Sequence, residues 1–208
     1  MRDKLKEILS ETPSYSEELG LNLSKTEDRF KWFIASIFFA KRISNEIAKN
    51  TFRMFIENGL TTPDKILQAG WDKLVEILDL GGYVRYDFST ATNLLKTTNL
   101  LKELYNGSLE ELHKQAENSK DLEKRLKEFK GVGPVAINIF LRELRGIWDK
   151  SKPKVSTMAL ETAKRLDIEK DDIEVYESKL VRLKLEYCKK KKCEICPVKN
   201  YCKTPVTK

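Results

Sequence analysis

Four cysteines stand as Cys188-x4-Cys193-x2-Cys196-x5-Cys202, and none precedes Cys188. Disulfides that staple a whole fold would be spread along the chain, so this grouping indicates one local site. Four thiolates so close in sequence can wrap a single compact centre. Tetrahedral zinc takes such a donor set, usually from two Cys-x2-Cys knuckles across a longer spacer. A cubane iron–sulfur cluster takes it from one tight loop. Only one Cys-x2-Cys pair is present, and the residues alone leave both occupants open. Lys189 to Lys192 form a basic run inside the loop, either a solvated charge run or a phosphate-facing one.

A second constellation lies upstream, where residues 121–145 read DLEKRLKEFKGVGPVAINIFLRELR. A helix with Leu122, Leu126 and Phe129 on one face meets Gly131-Val132-Gly133, and a new helix opens at Pro134. The glycines permit a tight hairpin and let a phosphate approach the main chain closely. The first N–H groups of the new helix favour an anion, and Lys130 adds a charge. Lys130, Gly131, Val132 and Gly133 are therefore candidate phosphate contacts. The competing reading is a plain glycine-capped joint.

The elements needed to position these groups are helical. Apolar residues recur at three- and four-residue spacing, and strand-like alternation is scarce. The pattern predicts helices over Thr26–Ala40, Ser44–Glu57, from Thr62-Pro63-Asp64, Trp71–Leu78, Ser89–Tyr105, Ser108–Glu117, Asp121–Phe129, Val135–Leu144, Thr157–Leu166 and Asp171–Cys188. Thr62 and Pro63 form a cap and first turn. A Lys-rich loop over 147–154 is the best internal boundary. The fold class is all-α. Lys plus Arg is 39 against 32 for Asp plus Glu, a net charge of +7 that allows an anionic partner such as nucleic acid. No apolar run approaches the roughly 18 residues that span a bilayer. No apolar leader follows Met1-Arg2-Asp3-Lys4, which sets the expectation of a cytoplasmic protein.

The hairpin and the cysteine loop, in this order, resemble the endonuclease III branch of the helix–hairpin–helix DNA glycosylase superfamily. The resemblance runs from about Thr26 to Cys202. That branch carries Cys-x6-Cys-x2-Cys-x5-Cys holding a [4Fe–4S] cluster; here the first spacer is two residues shorter. The resemblance implies a two-lobed helical fold. One lobe is a six-helix barrel over 27–145, ending in the helix–hairpin–helix over 121–145. The other joins 1–26 to 146–208 and carries the [4Fe–4S] loop 188–202. It further implies double-stranded DNA as partner, a monomer without membrane association, and a monovalent cation at the hairpin carbonyls. Lys190 and Lys191 would face DNA phosphates.

The resemblance also locates the departures. A catalytic carboxylate is expected in a Val-Asp-Thr-His segment, and this chain has Val155-Ser156-Thr157-Met158. The Schiff-base lysine that follows the hairpin in bifunctional members is replaced by Val135. Standard strand-cleaving lyase activity is therefore not expected, and no catalytic residue is assigned. Asp149, Lys152 and Lys154 are substitutes suggested by proximity in sequence alone. Phe38 stands where the family has a gap-filling glutamine; it is a candidate wedge between bases or ordinary core. Arg85, with Tyr83 and Tyr86, lies in a turn resembling one near the DNA-facing cleft. His113 is read as a surface residue, and Trp32, Trp71 and Trp148 as packing residues. The expected activity is base-excision repair by N-glycosidic bond cleavage. The alternatives are a catalytically inert DNA-binding or damage-recognition protein and a small zinc-stabilised interaction module.

Overall fold

The computed structural model describes residues 2–204. Among them the α-helices are α1 (Arg2–Glu11), α2 (Tyr15–Glu18), α3 (Thr26–Phe39), α4 (Asn45–Glu57), α5 (Pro63–Leu80), α6 (Asp87–Tyr105), α7 (Leu109–Gln115), α8 (Ser119–Glu128), α9 (Pro134–Arg142), α10 (Thr157–Leu166) and α11 (Lys170–Leu183). No described residue lies in a strand, and no helix is long and apolar enough to cross a membrane. The chain divides into two compact units. One takes residues 21–153; the other joins the segment up to Gly20 with that from Lys154 onward.

In the 21–153 unit, α3 is buried nearly all round, as a helix apolar on most faces must be. Phe33 meets Phe129 and Phe140 edge-on, with ring centroids 5.7 and 5.2 Å apart. Phe38 meets Phe55 and Tyr83 the same way, at 5.0 and 5.4 Å. Each such buried ring contributes roughly 1.5–3 kcal/mol. The two helices expected after Thr62 are both present within α5, separated at Gly70, whose backbone (φ +73°, ψ 178°) is not helical. Only glycine adopts that angle without strain.

The unit's limits differ from the expected 27 and 145, and the reason is local bonding. Arg29 donates to the carbonyls of Leu23 (2.7 Å) and Ser24 (2.9 Å), tying residues 21–26 to α3. At the other end Ser151 Oγ donates to the Leu141 carbonyl (2.7 Å), and Arg145 donates to that of Pro153 (2.7 Å). Trp148 is buried and donates to Glu110 (3.2 Å). His113 corrects an expectation too. Far from being a bare surface side chain, it is half-buried, stacked face to face on Trp148 at 4.6 Å. Its Nε2 lies 2.9 Å from Asp149. Trp71 also departs from a pure packing role. It is 40% exposed, tilted against exposed Phe88, and donates to Thr92 Oγ1 (3.0 Å).

In the other unit Leu5 and Leu9 of α1, Ala159, Ala163 and Leu166 of α10, and Leu180, Val181 and Leu183 of α11 form one core with Val198. The sequence reading assigned no helix to the α1 and α2 segments. Ser14 and Glu17 close a reciprocal cap on α2. The Tyr15 hydroxyl reaches Glu186 (2.8 Å), and Arg182 stacks over the Tyr15 ring. The helix expected to run on to Cys188 loosens instead into a π-helical turn over Lys184–Cys188. Its signature is the Lys189 N–H donating five residues back, to Lys184 (2.9 Å). Residues 205–208 of the expected second lobe lie outside the described residues.

Burial, aided by Lys150, holds the His113 pKa below its ordinary value and outweighs Asp149. The unfolded chain then binds more protons than the folded one below about pH 6.5. This contribution to stability is full above that pH and is lost as pH falls through the folded-state pKa. His113→Phe keeps the stacked ring without the titration. Thermal unfolding at pH 7.5 and pH 5 is expected to show a smaller acid-side loss in the variant than in the wild type.

Candidate nucleic-acid interface and metal centre

The turn between α8 and α9 is anchored from within. Asn118 caps α8 by accepting from the N–H groups of Lys120 and Asp121, and Leu122, Leu126 and Phe129 are buried beneath it. The Val132 side chain is buried as well, and its N–H donates to the Phe129 carbonyl (3.1 Å). Val132 therefore anchors the hairpin; its N–H is taken by the turn, which corrects its expected place among the phosphate contacts. The Lys130 carbonyl accepts from Thr97 Oγ1 of α6 (2.9 Å).

The two glycines differ physically. Gly131 has φ +84°, and a Cβ there would meet the Asn93 side chain at 2.9 Å. Conformation and packing both require glycine. Gly133 is extended (φ −94°, ψ 177°), a shape open to any residue. A Cβ on it would meet nothing within 4 Å. The protein's own packing does not demand glycine there. Immediately beyond, α9 opens at Pro134, and its first helical bond runs from Ile137 N–H to the Gly133 carbonyl (3.0 Å). The N–H groups of Val135 and Ala136 precede that bond and are the helix's free donors. Lys130 and Gly131 are exposed beside them. Val135 presents an exposed aliphatic side chain (58%).

The other candidates separate sharply. Phe38 is fully buried, edge-on to Phe55 and Tyr83. It cannot enter a base stack without opening the core, so its apolar-stripe reading holds and the wedge reading is corrected. Tyr83 is likewise buried, which removes it as a stacking platform. Arg85 is exposed, with its guanidinium over the Tyr86 ring at 5.4 Å; Lys41 approaches the same ring at 5.7 Å. Ser156 caps α10 by accepting from the Ala159 N–H (3.3 Å), while its own N–H donates to buried Glu177 (2.9 Å). Asp149 is the partner of His113.

All four cysteines are half-buried and line one cavity that is partly open to solvent. Leu166, Leu183, Tyr187 and Val198 give it apolar walls; Thr162, Arg165 and Lys199 are its polar lining. Among the described residues no three acidic, histidine or cysteine side chains converge tightly enough to hold a single metal ion. Short turns space the thiols. The Cys196 N–H donates to the Cys193 carbonyl (3.2 Å), and that of Cys202 to the Lys199 carbonyl (3.2 Å). Burial raises the Cys188 and Cys196 thiol pKa values. Lys189 to Lys192 are exposed. Lys190 pairs with Glu186, and Lys191 holds a left-handed backbone at φ +53°. No protein-family model and no curated protein matches the chain.

Asn93, Thr97 and Arg165 were not among the residues singled out from the sequence. The available signal for the first two was a set of small polar residues within the leucine-rich stretch TATNLLKTTNLL. The glycine contrast yields a measurable asymmetry. Gly131→Ala should cost about 1–3 kcal/mol in urea unfolding, from left-handed strain and the Asn93 contact. Gly133→Ala should stay within about 0.5 kcal/mol of wild type.

Proposed function

We propose that the chain binds duplex DNA through the Lys130–Val135 hairpin, as a helix–hairpin–helix protein of the endonuclease III type, and acts on a damaged or mismatched base. The observation that carries this is Gly133, whose extended backbone and empty surroundings leave room for a phosphate beside the free N–H groups of α9. On this reading the 21–153 unit is the six-helix-barrel lobe. The Gly131 and Val132 carbonyls are the candidates for a monovalent cation, since those of Phe129 and Lys130 each already accept a hydrogen bond. Contacts of this kind grip the backbone and carry no sequence information.

Base release would proceed as hydrolysis. Water attacks the sugar carbon, the N-glycosidic bond breaks, and the base leaves with a proton. Val135 supplies no amine, so no Schiff base forms at that position. The second reading, recognition without base release, is favoured by two observations. The Ser156 hydroxyl is committed to a helix cap, and Glu177 is only 1% exposed. Neither offers a free carboxylate for the positive charge that develops on the sugar.

Cys188, Cys193, Cys196 and Cys202 would hold the [4Fe–4S] cluster of this proposal. Four half-buried thiols distributed around one cavity suit a polynuclear group. When bound, the cluster cross-links the end of α11 to the turns that follow. The chain's own contribution is to set the loop's shape and present Lys189 to Lys192. Anaerobic purification should yield a brown protein containing iron and sulfide; colourless protein containing zinc alone would leave the zinc module.

Fluorescence anisotropy with a labelled duplex tests the hairpin. Binding should weaken steeply with added salt. Gly133→Ala should bind about tenfold more weakly, roughly 1.4 kcal/mol, with unfolding unchanged; equal binding would remove the hairpin as the contact. Duplexes carrying damaged, mismatched and abasic residues then separate the two readings. Base release without a borohydride-trapped adduct supports hydrolysis, whereas tight binding without release on every duplex supports recognition alone.

A further inference from the structure

Arg165 stands out among the polar side chains lining the cysteine cavity, because it makes two contacts with the chain just past the last cysteine. Its carbonyl accepts from the Lys203 N–H (2.9 Å), and its guanidinium donates to the Thr204 carbonyl (3.2 Å). It projects from the last turn of α10, whose Ala159, Ala163 and Leu166 are locked into the core. The residue is therefore fixed at its base and engaged at its tip.

The charges around the cavity are unequal. Lys199 turns its ammonium to the Glu194 carbonyl (3.0 Å). Lys184 is paired with Glu161 at 2.6 Å. Arg165 lines the same cavity as the four thiols. Thr162 apart, the remaining walls facing the thiols are apolar. Four thiolates with a bound cubane carry net negative charge, and an apolar wall penalises that charge unless a cation offsets it. A guanidinium suits this role, being weakly hydrated and able to hold a fixed hydrogen bond.

We infer that Arg165 is the positioning residue of the cysteine centre, offsetting the negative charge of its occupant while latching the segment after Cys202 across the cavity. The inference rests on the iron–sulfur reading above and goes beyond it, since it concerns a residue that is not a ligand. Two consequences follow. Loss of the charge makes the reduced, more negative state of the cluster harder to reach. Loss of the latch opens the loop and exposes iron.

The test uses the full chain purified anaerobically, comparing wild type with Arg165→Gln and Arg165→Lys. Gln keeps a donor for the Thr204 carbonyl and removes the charge; Lys keeps the charge and loses the planar fork. The readouts are the reduction potential by protein-film voltammetry, the rate of iron loss to a chelator, and circular dichroism for folding. Arg165→Gln should shift the potential to a more negative value, and Arg165→Lys should leave it near wild type. Arg165→Lys should release iron several-fold faster. Identical potentials in all three folded proteins would overturn the electrostatic role, and identical release rates the latch, with the cluster reading intact. If Arg165→Gln fails to fold, an Arg165→Lys protein with wild-type iron release and a shifted potential overturns both. A wild-type chain holding zinc and no iron would instead defeat the cluster reading itself, and this inference with it.

Discussion

The hydrogen bond from the Thr97 hydroxyl to the Lys130 carbonyl sets the position of everything the hairpin presents. Such a bond is worth only about 1 kcal/mol net, but its geometric effect is larger. It holds the end of the α8 segment against α6 at the point where the chain must reverse. Gly131 then sits against Asn93, one helical turn from Thr97, closely enough that no side chain fits. With Lys130 and Gly131 held, Phe129 and Val132 turn inward and Gly133 faces outward. The free donors of α9 are aimed by contacts made on α6, so a surface that would grip an anion is determined by the packing underneath it.

The helices were legible where the determinants are local. α3, α4, α6, α8, α9 and α10 lie within a few residues of the spans read from apolar spacing and caps, because those signals belong to the helix itself. The missed elements depend on distant partners. The Tyr15 hydroxyl bonds Glu186, 171 positions away, and α1 buries Leu5 and Leu9 in a core whose other buried members start at Ala159. The π-helical turn was not legible because it differs from an α-helix by one step in hydrogen-bond register, which composition does not encode. The 21–153 limits were shifted outward by side chains reaching back to carbonyls, as Arg29 and Ser151 do.

The candidate site was legible by residue type and less so by placement. Cys188, Cys193, Cys196 and Cys202 were visible as one centre, and the structure has them lining one cavity. Phe38 shows why a position can mislead. The resemblance made it a wedge and the apolar stripe made it core, and burial decides for the core. Asn93, Thr97 and Arg165 carry no motif; they matter because tertiary packing brings them to a turn or a cavity. Ser156 was read as a missing carboxylate. The structure gives it a positive role as the cap of α10, and Asp suits that position equally well.

The smaller unit draws its core from both flanks of the larger one along the chain. During synthesis α1 and α2 leave the ribosome long before α10 and α11 exist to cover them. The apolar stripe of α1 must then wait, exposed, while more than a hundred further residues are added. The 21–153 unit has a wait of its own, since Phe33 of α3 meets Phe129 and Phe140 only after α4 to α7 have been made. A slow step in maturation should be the closing of the smaller unit's late, long-range core rather than the formation of any single helix.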